Sequence, residues 1–458
     1  MLIIFFAFLL FLMALILYSE KKYGEMLFCI TTIANGFFGF EKLLGILGDA
    51  PSLRLSDIAL LLIVVIWIQS FIKEKNKFFL LRNDSIGRII LYIFSYLTLV
   101  FIGTILLKQE VFRYSITVYK VFLGLPFYFV LKKISIRDFE KFIELMLYGS
   151  IIQGMFYYLQ FIGLDGILSG YGSEGNNVVG GQIRLANYPS YGKFFALYYI
   201  FKENVSPVKK WFLVIFFIMM PIMGLMRGSV INIGIACLTF FILKRRRNSI
   251  IYLLLGLLFY EGIVSAVFEK RSSDAGISSV EELNIFLSDP LHAHEKYIND
   301  ARGGTFLFRM GMLSERIEFM KENPQYLPFG VGCVNEYEKN NIYTMVLGTK
   351  SILPDGTVRE SSLSSADNTW VGVLMRYGIV GVILLLMYYY KIITLTVNKI
   401  SKSNNIIFLV YACYAIPSFL ITFDSNNFDR ITGILSLCCT SAYITIYLKH
   451  YYYAKISS

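Results

Sequence analysis

Arginine recurs at short polar connections between apolar runs: Arg54, Arg113, Arg184, Arg227 and Arg430. A guanidinium presents a planar fork of donors that fits phosphate or pyrophosphate, so arginines gathered on one face of a protein suit an anionic substrate. Arg184 lies in GGQIRLANYPSYG, between a glycine-rich segment and a proline that suits the first turn of a helix. A helix N-terminus beside it would favour the same anion. The plain alternative is an interfacial arginine that snorkels to lipid headgroups. Arg227 lies in MGLMRGSVINIG, a short turn in which Gly228 and Ser229 free the backbone and add donors.

A longer polar segment contains GGTFLFRMGMLSERIEFMKENPQYLPFGVG (303–332). Its residues 305–322 have helical spacing and stop at Asn323-Pro324. Arg309 and Arg316 are seven apart and share one face with Leu313 and Met320, which suits a helix lying over a membrane surface near a phosphate-bearing lipid. The competing reading is an ordinary amphipathic helix whose charge Glu315 and Glu318 offset, and it is favoured for Arg316. Arg302 stands just ahead of this helix, and with Arg227, Arg316, Asn368 and Arg376 makes up the candidate substrate-binding set.

The segment SSADNTWVGVLMRYGIVGVILLL (364–386) opens a later apolar run. Asp367 and Asn368 fall at its start, where both residue types are preferred caps. A carboxylate at that boundary, facing several arginines, is also placed to act as a general base, although the arginines would keep it ionised and so weaken it. Arg376 stands about two turns into the run; an ionisable group there is a functional candidate by default unless it snorkels to the interface. His292 and His294 form H-A-H beside Asp289 and Glu295. That spacing sends the rings to different faces, no third zinc ligand stands at motif spacing, and solvated loop histidines are expected.

Apolar helices must position these groups. Of 458 residues, 56% are hydrophobic and 16% aromatic, and mean hydropathy is +0.59, well beyond a soluble globular domain. A span takes roughly 17–25 mostly apolar residues. Candidates fall near 2–18, 26–47, 57–73, 89–107, 111–131, 141–163, 189–202, 211–226, 229–243, 249–267, 368–392, 405–423 and 431–448. The fold class expected is therefore an all-α polytopic membrane protein of about 13 transmembrane helices (12–14) with one large extracytoplasmic loop. Three parts follow: an N-terminal bundle over 1–267 with an outer loop at 164–188, the large loop over 268–366, and closing helices over 367–458.

Lysine-rich hinges at 19–22, 73–83, 132–141, 202–210, 244–248, 391–402 and 449–455 alternate with the charge-poor connections that carry arginine. The positive-inside bias then puts the N-terminus outside and the C-terminus in the cytoplasm. A net charge of +11 would also suit nucleic acid, but the basic residues flank apolar runs instead of striping a polar domain, and an anionic leaflet accounts for them. Five cysteines lie in apolar runs, which leaves Cys333 alone in its loop and implies no disulfide framework. The first apolar run lacks a basic n-region and a cleavage site and reads as a retained span. No internal repeat stands out, which counts against a transporter built from inverted halves.

Taken in order, these pieces resemble the O-antigen polymerase and O-antigen ligase superfamily of bacterial cell-envelope glycosyltransferases. The resemblance covers most of the chain in layout, and its motifs are R-x-x-x-x-P (184–189), MRGS (226–229), F-x-x-R followed by N-P and P-F-G-V-G (306–332), and D-N-T-W with a later G-I-V-G (367–381). It implies polymerisation of undecaprenyl-diphosphate-linked repeat units into O-antigen, capsular or exopolysaccharide on the outer face of the bacterial cytoplasmic membrane. No metal or cofactor is expected. It further implies that Arg184 and Arg309 hold the donor diphosphate. Asp367 stands where ligases often carry a histidine that activates the acceptor hydroxyl, and this departure favours a polymerase. The implied catalytic set is Asp367, Arg184 and Arg309. The implied partners are the lipid-linked glycan, membrane lipids, a flippase and a chain-length regulator, with no nucleic acid. Two alternatives stand beside this reading: a ligase that transfers glycan to a lipid A core or a protein, and a lipid-linked oligosaccharide flippase, which a domain-sized outer loop fits poorly.

Overall fold

An apolar run with no water around it can satisfy its backbone only within itself, so these runs fold as helices. The computed structural model describes residues 2–39, 54–108, 111–160, 178–179, 182–183, 188–224, 226–244, 279–300, 305–334, 345–347, 349–352, 358–361, 368–423, 425 and 428–456. In chain order the helices are α1 (Leu2–Ser19), α2 (Tyr23–Ala34), α3 (Leu55–Glu74), α4 (Ser85–Lys108), α5 (Phe112–Tyr119), α6 (Phe127–Leu131) and α7 (Ile136–Leu159). A hairpin of β1 (Val178–Val179) and β2 (Gln182–Ile183) precedes α8 (Gly192–Phe201), α9 (Pro207–Met223) and α10 (Arg227–Leu243). A polar segment then supplies α11 (Ser279–Ser288), α12 (Ala293–Asp300), α13 (Thr305–Glu322), β3 (Thr349–Ile352) and β4 (Val358–Ser361). Three long helices close the fold: α14 (Thr369–Ile400), α15 (Ile406–Leu420) and α16 (Ile431–Ile456).

Among the described residues, seven segments are long and apolar enough to cross a membrane: Leu55–Glu74, Ser85–Lys108, Phe112–Leu131, Ile136–Leu159, Thr369–Ile400, Ile406–Phe423 and Ile431–His450. The shorter apolar helices Ile4–Ser19, Tyr23–Ala34 and Gly228–Leu243 accompany them. The expected spans 26–47 and 189–202 contract to α2 and α8, of 12 and 10 residues. The cause at α2 is local, because Gly36, Phe37 and Phe38 turn to positive φ directly after it. The expected span 249–267 lies outside the described residues. The all-α expectation holds, and two short hairpins accompany the helices: β1 pairs antiparallel with β2, and β3 with β4 through Thr349↔Ser361 to Ile352↔Val358. The intervening LPDGT carries the residues that favour such a reversal.

The lysine-rich hinges gather at one end of the bundle. Lys132 bonds Asp84 at 3.0 Å, Lys133 pairs with Glu74, and Lys244 reaches the Ser403 carbonyl. At the opposite end Tyr157 donates to the Met220 carbonyl at 2.9 Å, tying the close of α7 to that of α9. Trp370 Nε1 donates to Thr422 Oγ1 at 2.7 Å and Thr369 to the Ser425 carbonyl at 2.8 Å, which ties the start of α14 to the α15–α16 connection.

At this second end α14 is broken. Gly378 has φ 60° and ψ −165°, outside the helical region. A regular helix would carry Ile379 N–H to the Met375 carbonyl and Val380 N–H to that of Arg376. Instead Val331 and Gly332 donate to those two carbonyls at 2.7 and 3.0 Å, while Ile379 and Val380 donate to the carbonyls of Leu327 and Pro328 at 2.8 and 3.3 Å. Two hydrogen bonds of the helix are thus exchanged for four to Leu327 and the adjoining loop P-F-G-V-G (328–332). The close approach requires glycine. A Cβ at Gly378 would lie 2.5 Å from the Pro328 carbonyl group, and one at Gly330 would lie 2.5 Å from the Arg376 carbonyl carbon. Helix α4 holds the clasp from the side, through Lys108 Nζ to the Val331 carbonyl at 2.7 Å, Cys333 N–H to Thr104 Oγ1 at 3.0 Å, and Tyr96 Oη to the Tyr377 carbonyl at 2.5 Å.

Candidate functional site

The clasp fixes α13 over the start of α14. Asn368 is fully buried at the N-cap of α14, where its Oδ1 accepts from Trp370 N–H at 2.9 Å, as the sequence led us to expect of a cap. Its Nδ2 reaches the other way and donates to the Arg309 carbonyl at 3.3 Å. One amide therefore ties the F-x-x-R turn of α13 to the D-N-T-W start of α14, joining two motifs that are about sixty residues apart. The Arg309 side chain is half-buried at this junction.

Arg316, on the same face of α13, is placed differently. It is fully buried, its Nη1 donating to Glu315 Oε2 at 2.5 Å and to the Met312 carbonyl at 3.3 Å. Glu315 in turn accepts from the Val346 and Leu347 N–H groups at 2.5 and 3.1 Å, so the pair pins the following stretch of chain onto α13. Arg376 is buried rather than snorkelling, and its Nη1 lies 3.4 Å from Asp429 Oδ2 in the α15–α16 connection. Arg227 opens α10 directly after the turn that ends α9, at the same end of the bundle. Arg184, Arg302 and Asp367 lie outside the described residues.

The two histidines do splay apart, but only one is solvated. His292 is exposed and hydrogen-bonded to Asp289 at 3.0 Å, a bond that holds the Asp289 carboxyl below its ordinary range. His294 corrects the expectation. It is buried between Ser314 and Glu318, with Nε2 3.1 Å from the Glu318 carboxylate, and it packs α12 onto α13. Asp429 was missed from sequence, since nothing near it marks a partner for an arginine 53 positions earlier.

Long apolar helices, one lysine-rich end, and an opposite end where arginine-bearing helices meet under a polar segment define a polytopic membrane protein. Residues 212–386 match the family model described as O-antigen ligase, a match that supports kinship with the O-antigen ligase and polymerase superfamily of glycosyltransferase-like enzymes in glycan assembly. This match and the apolar helices together support a bacterial inner-membrane protein. No curated protein matches the chain. The matched stretch starts in the second turn of α9 and ends past the break in α14. It includes Arg227, Arg302, Arg309, Arg316, Asp367, Asn368 and Arg376, while Arg184 precedes it.

Proposed function

We propose that the protein polymerises undecaprenyl-diphosphate-linked oligosaccharide repeat units on the outer face of the cytoplasmic membrane. The observation that carries this reading is the Asn368 bridge, which ties the Arg309 carbonyl to the start of α14, the helix whose cap Asp367 directly precedes in sequence. Arg184 and Arg309 hold the donor diphosphate and stabilise the charge that grows on it as the glycosidic bond breaks. The acceptor hydroxyl attacks the anomeric carbon, its proton passes to Asp367, and undecaprenyl diphosphate leaves. Arg227, Arg302 and Arg376 extend the positive field around the donor, and no metal or cofactor enters the scheme. The carboxylate at 367, in place of the histidine of ligases, supports polymerase; the family description supports ligase as the second reading. This proposal includes about 13 (12–14) membrane helices over 1–267 and 367–458, with α2 and α8 as short ones, an N-terminus outside, and segment 268–366 on the outer face, where a flippase and a chain-length regulator would meet it.

The test is deletion of the gene in its native host, followed by electrophoresis of the surface glycan and the lipid-linked pool. A polymerase leaves single repeat units on the surface and no ladder. Polymer stalled on undecaprenyl diphosphate means ligase, and an unchanged glycan overturns both. In complementation, Arg309→Ala is expected to abolish long chains at normal protein level. Asp367→Asn is expected to do the same, and full activity there would reduce Asp367 to a helix cap.

A further inference from the structure

A cavity of about 140 Å³ opens at the arginine end between α2, α8, α15 and α16, apart from the Arg309–Asn368 junction. Its composition is unusual for the space between apolar helices. Most of the side chains around it carry hydroxyls, among them Thr31, Tyr411, Tyr414 and Ser436, and Asn35 adds an amide. Lys193 is the one charged group in the lining, and no aspartate or glutamate accompanies it among the described residues. Lys193 has neither an ion-pair nor a hydrogen-bond partner there, and it stands at the second position of α8, where the positive end of the helix dipole adds to its field.

Two further atoms ask for a ligand. The hydroxyls of Thr31 and Tyr411 are buried, with residue exposures of 3% and 7%, and among the described residues neither has a hydrogen-bond partner. Buried polar atoms are almost always paired, so two orphans lining one cavity mark places that something else fills. A cavity of about 150 Å³ accommodates one six-membered ring. The tyrosine rings offer flat apolar walls, the hydroxyls offer donors and acceptors around the rim, and a single lysine supplies a point charge. Lysine lacks the bidentate fork that arginine presents to a diphosphate.

We infer that this cavity is a binding subsite for one sugar ring that carries a carboxylate, such as a uronic acid. The ligand class follows from the cavity and does not rest on the transfer reaction proposed above, so the test reads binding alone. Saturation-transfer NMR on the purified full chain in detergent, with sodium glucuronate, glucose and inorganic phosphate as probes, decides it. Glucuronate is expected to give several-fold stronger transfer than glucose. Lys193→Gln should lower glucuronate to the level of glucose, Lys193→Arg should keep the preference, and Tyr411→Phe should weaken both sugars. Equal transfer from glucuronate and glucose in the unaltered protein overturns the inference without recourse to any variant. Full displacement of glucuronate by equimolar inorganic phosphate also overturns it, and would identify the cavity as a phosphate headgroup site.

Discussion

Arg309 and Arg316 show what a single residue's surroundings decide. In the sequence they share a helix face, and the offset of Arg316 by Glu315 could be read there. Which arginine would be buried could not, because the groups that fix Glu315 come from residues 346 and 347, thirty positions on. Glu315→Ala leaves a fully buried guanidinium without its carboxylate and is expected to cost about 3–5 kcal/mol, seen as a large fall in the melting temperature of the purified protein. Arg309→Ala, at a half-buried position, should stay within about 1 kcal/mol of the unaltered protein while long-chain glycan is lost. Equal melting shifts in the two variants would mean that Arg309 too is a packing residue. The lysine hinges hold a similar surprise: Lys132 looks solvated in sequence, yet it is nearly buried against Asp84, which also receives the Tyr128 hydroxyl at 2.9 Å.

At the scale of elements, helix existence was legible wherever apolar runs were long, as in α3, α4, α7 and α14 to α16. The break in α14 was not. YGIVG lies inside an unbroken apolar run, and hydropathy is blind to a glycine whose carbonyl neighbours are taken by another loop. The motifs P-F-G-V-G and G-I-V-G looked like separate signatures and are the two halves of one clasp. Gly378→Ala forces a side chain against Pro328 at positive φ, which costs about 1–3 kcal/mol in backbone strain before any hydrogen bond is lost. Cys333, fully buried beneath the clasp, reports the result. In a Cys237→Ser background a maleimide should leave Cys333 unmodified in the parent and label it in Gly378→Ala. Protection in both would show that the clasp tolerates the methyl group. Thr104→Val, which removes the acceptor for Cys333 N–H, should produce a milder form of the same labelling, at about 1 kcal/mol.

For the molecule as a whole, charge parity in the sequence sorted the connections into two sets, and the structure collects lysine hinges and arginine junctions at opposite ends. Which end faces the cytoplasm is a matter for reporters. Alkaline phosphatase inserted at residues 335–344 should be active and one fused after Ser458 inactive, because its disulfides form only in an oxidising compartment. The opposite pattern would invert the bundle and move the proposed chemistry to the wrong side of the membrane. The hydroxyl-lined cavity escaped the sequence reading because its walls come from four helices spread over four hundred residues, each with only one or two polar positions in an apolar run.

The clasp also imposes an order on the protein's birth. Segment 327–332 leaves the ribosome before α14, and among the described residues it carries the partners of the Ile379 and Val380 amides. Until that segment docks, the early part of α14 can satisfy those amides only as a regular helix, so the break forms once the segment and α4 have met it. Biogenesis becomes a sequence of dependent docking events: α4 waits at the exit for the loop, and the loop waits for α14. A change that slows passage of the loop would strand the closing helices although every one of them is apolar enough to insert, and quality-control proteolysis would then remove a chain whose finished form is stable.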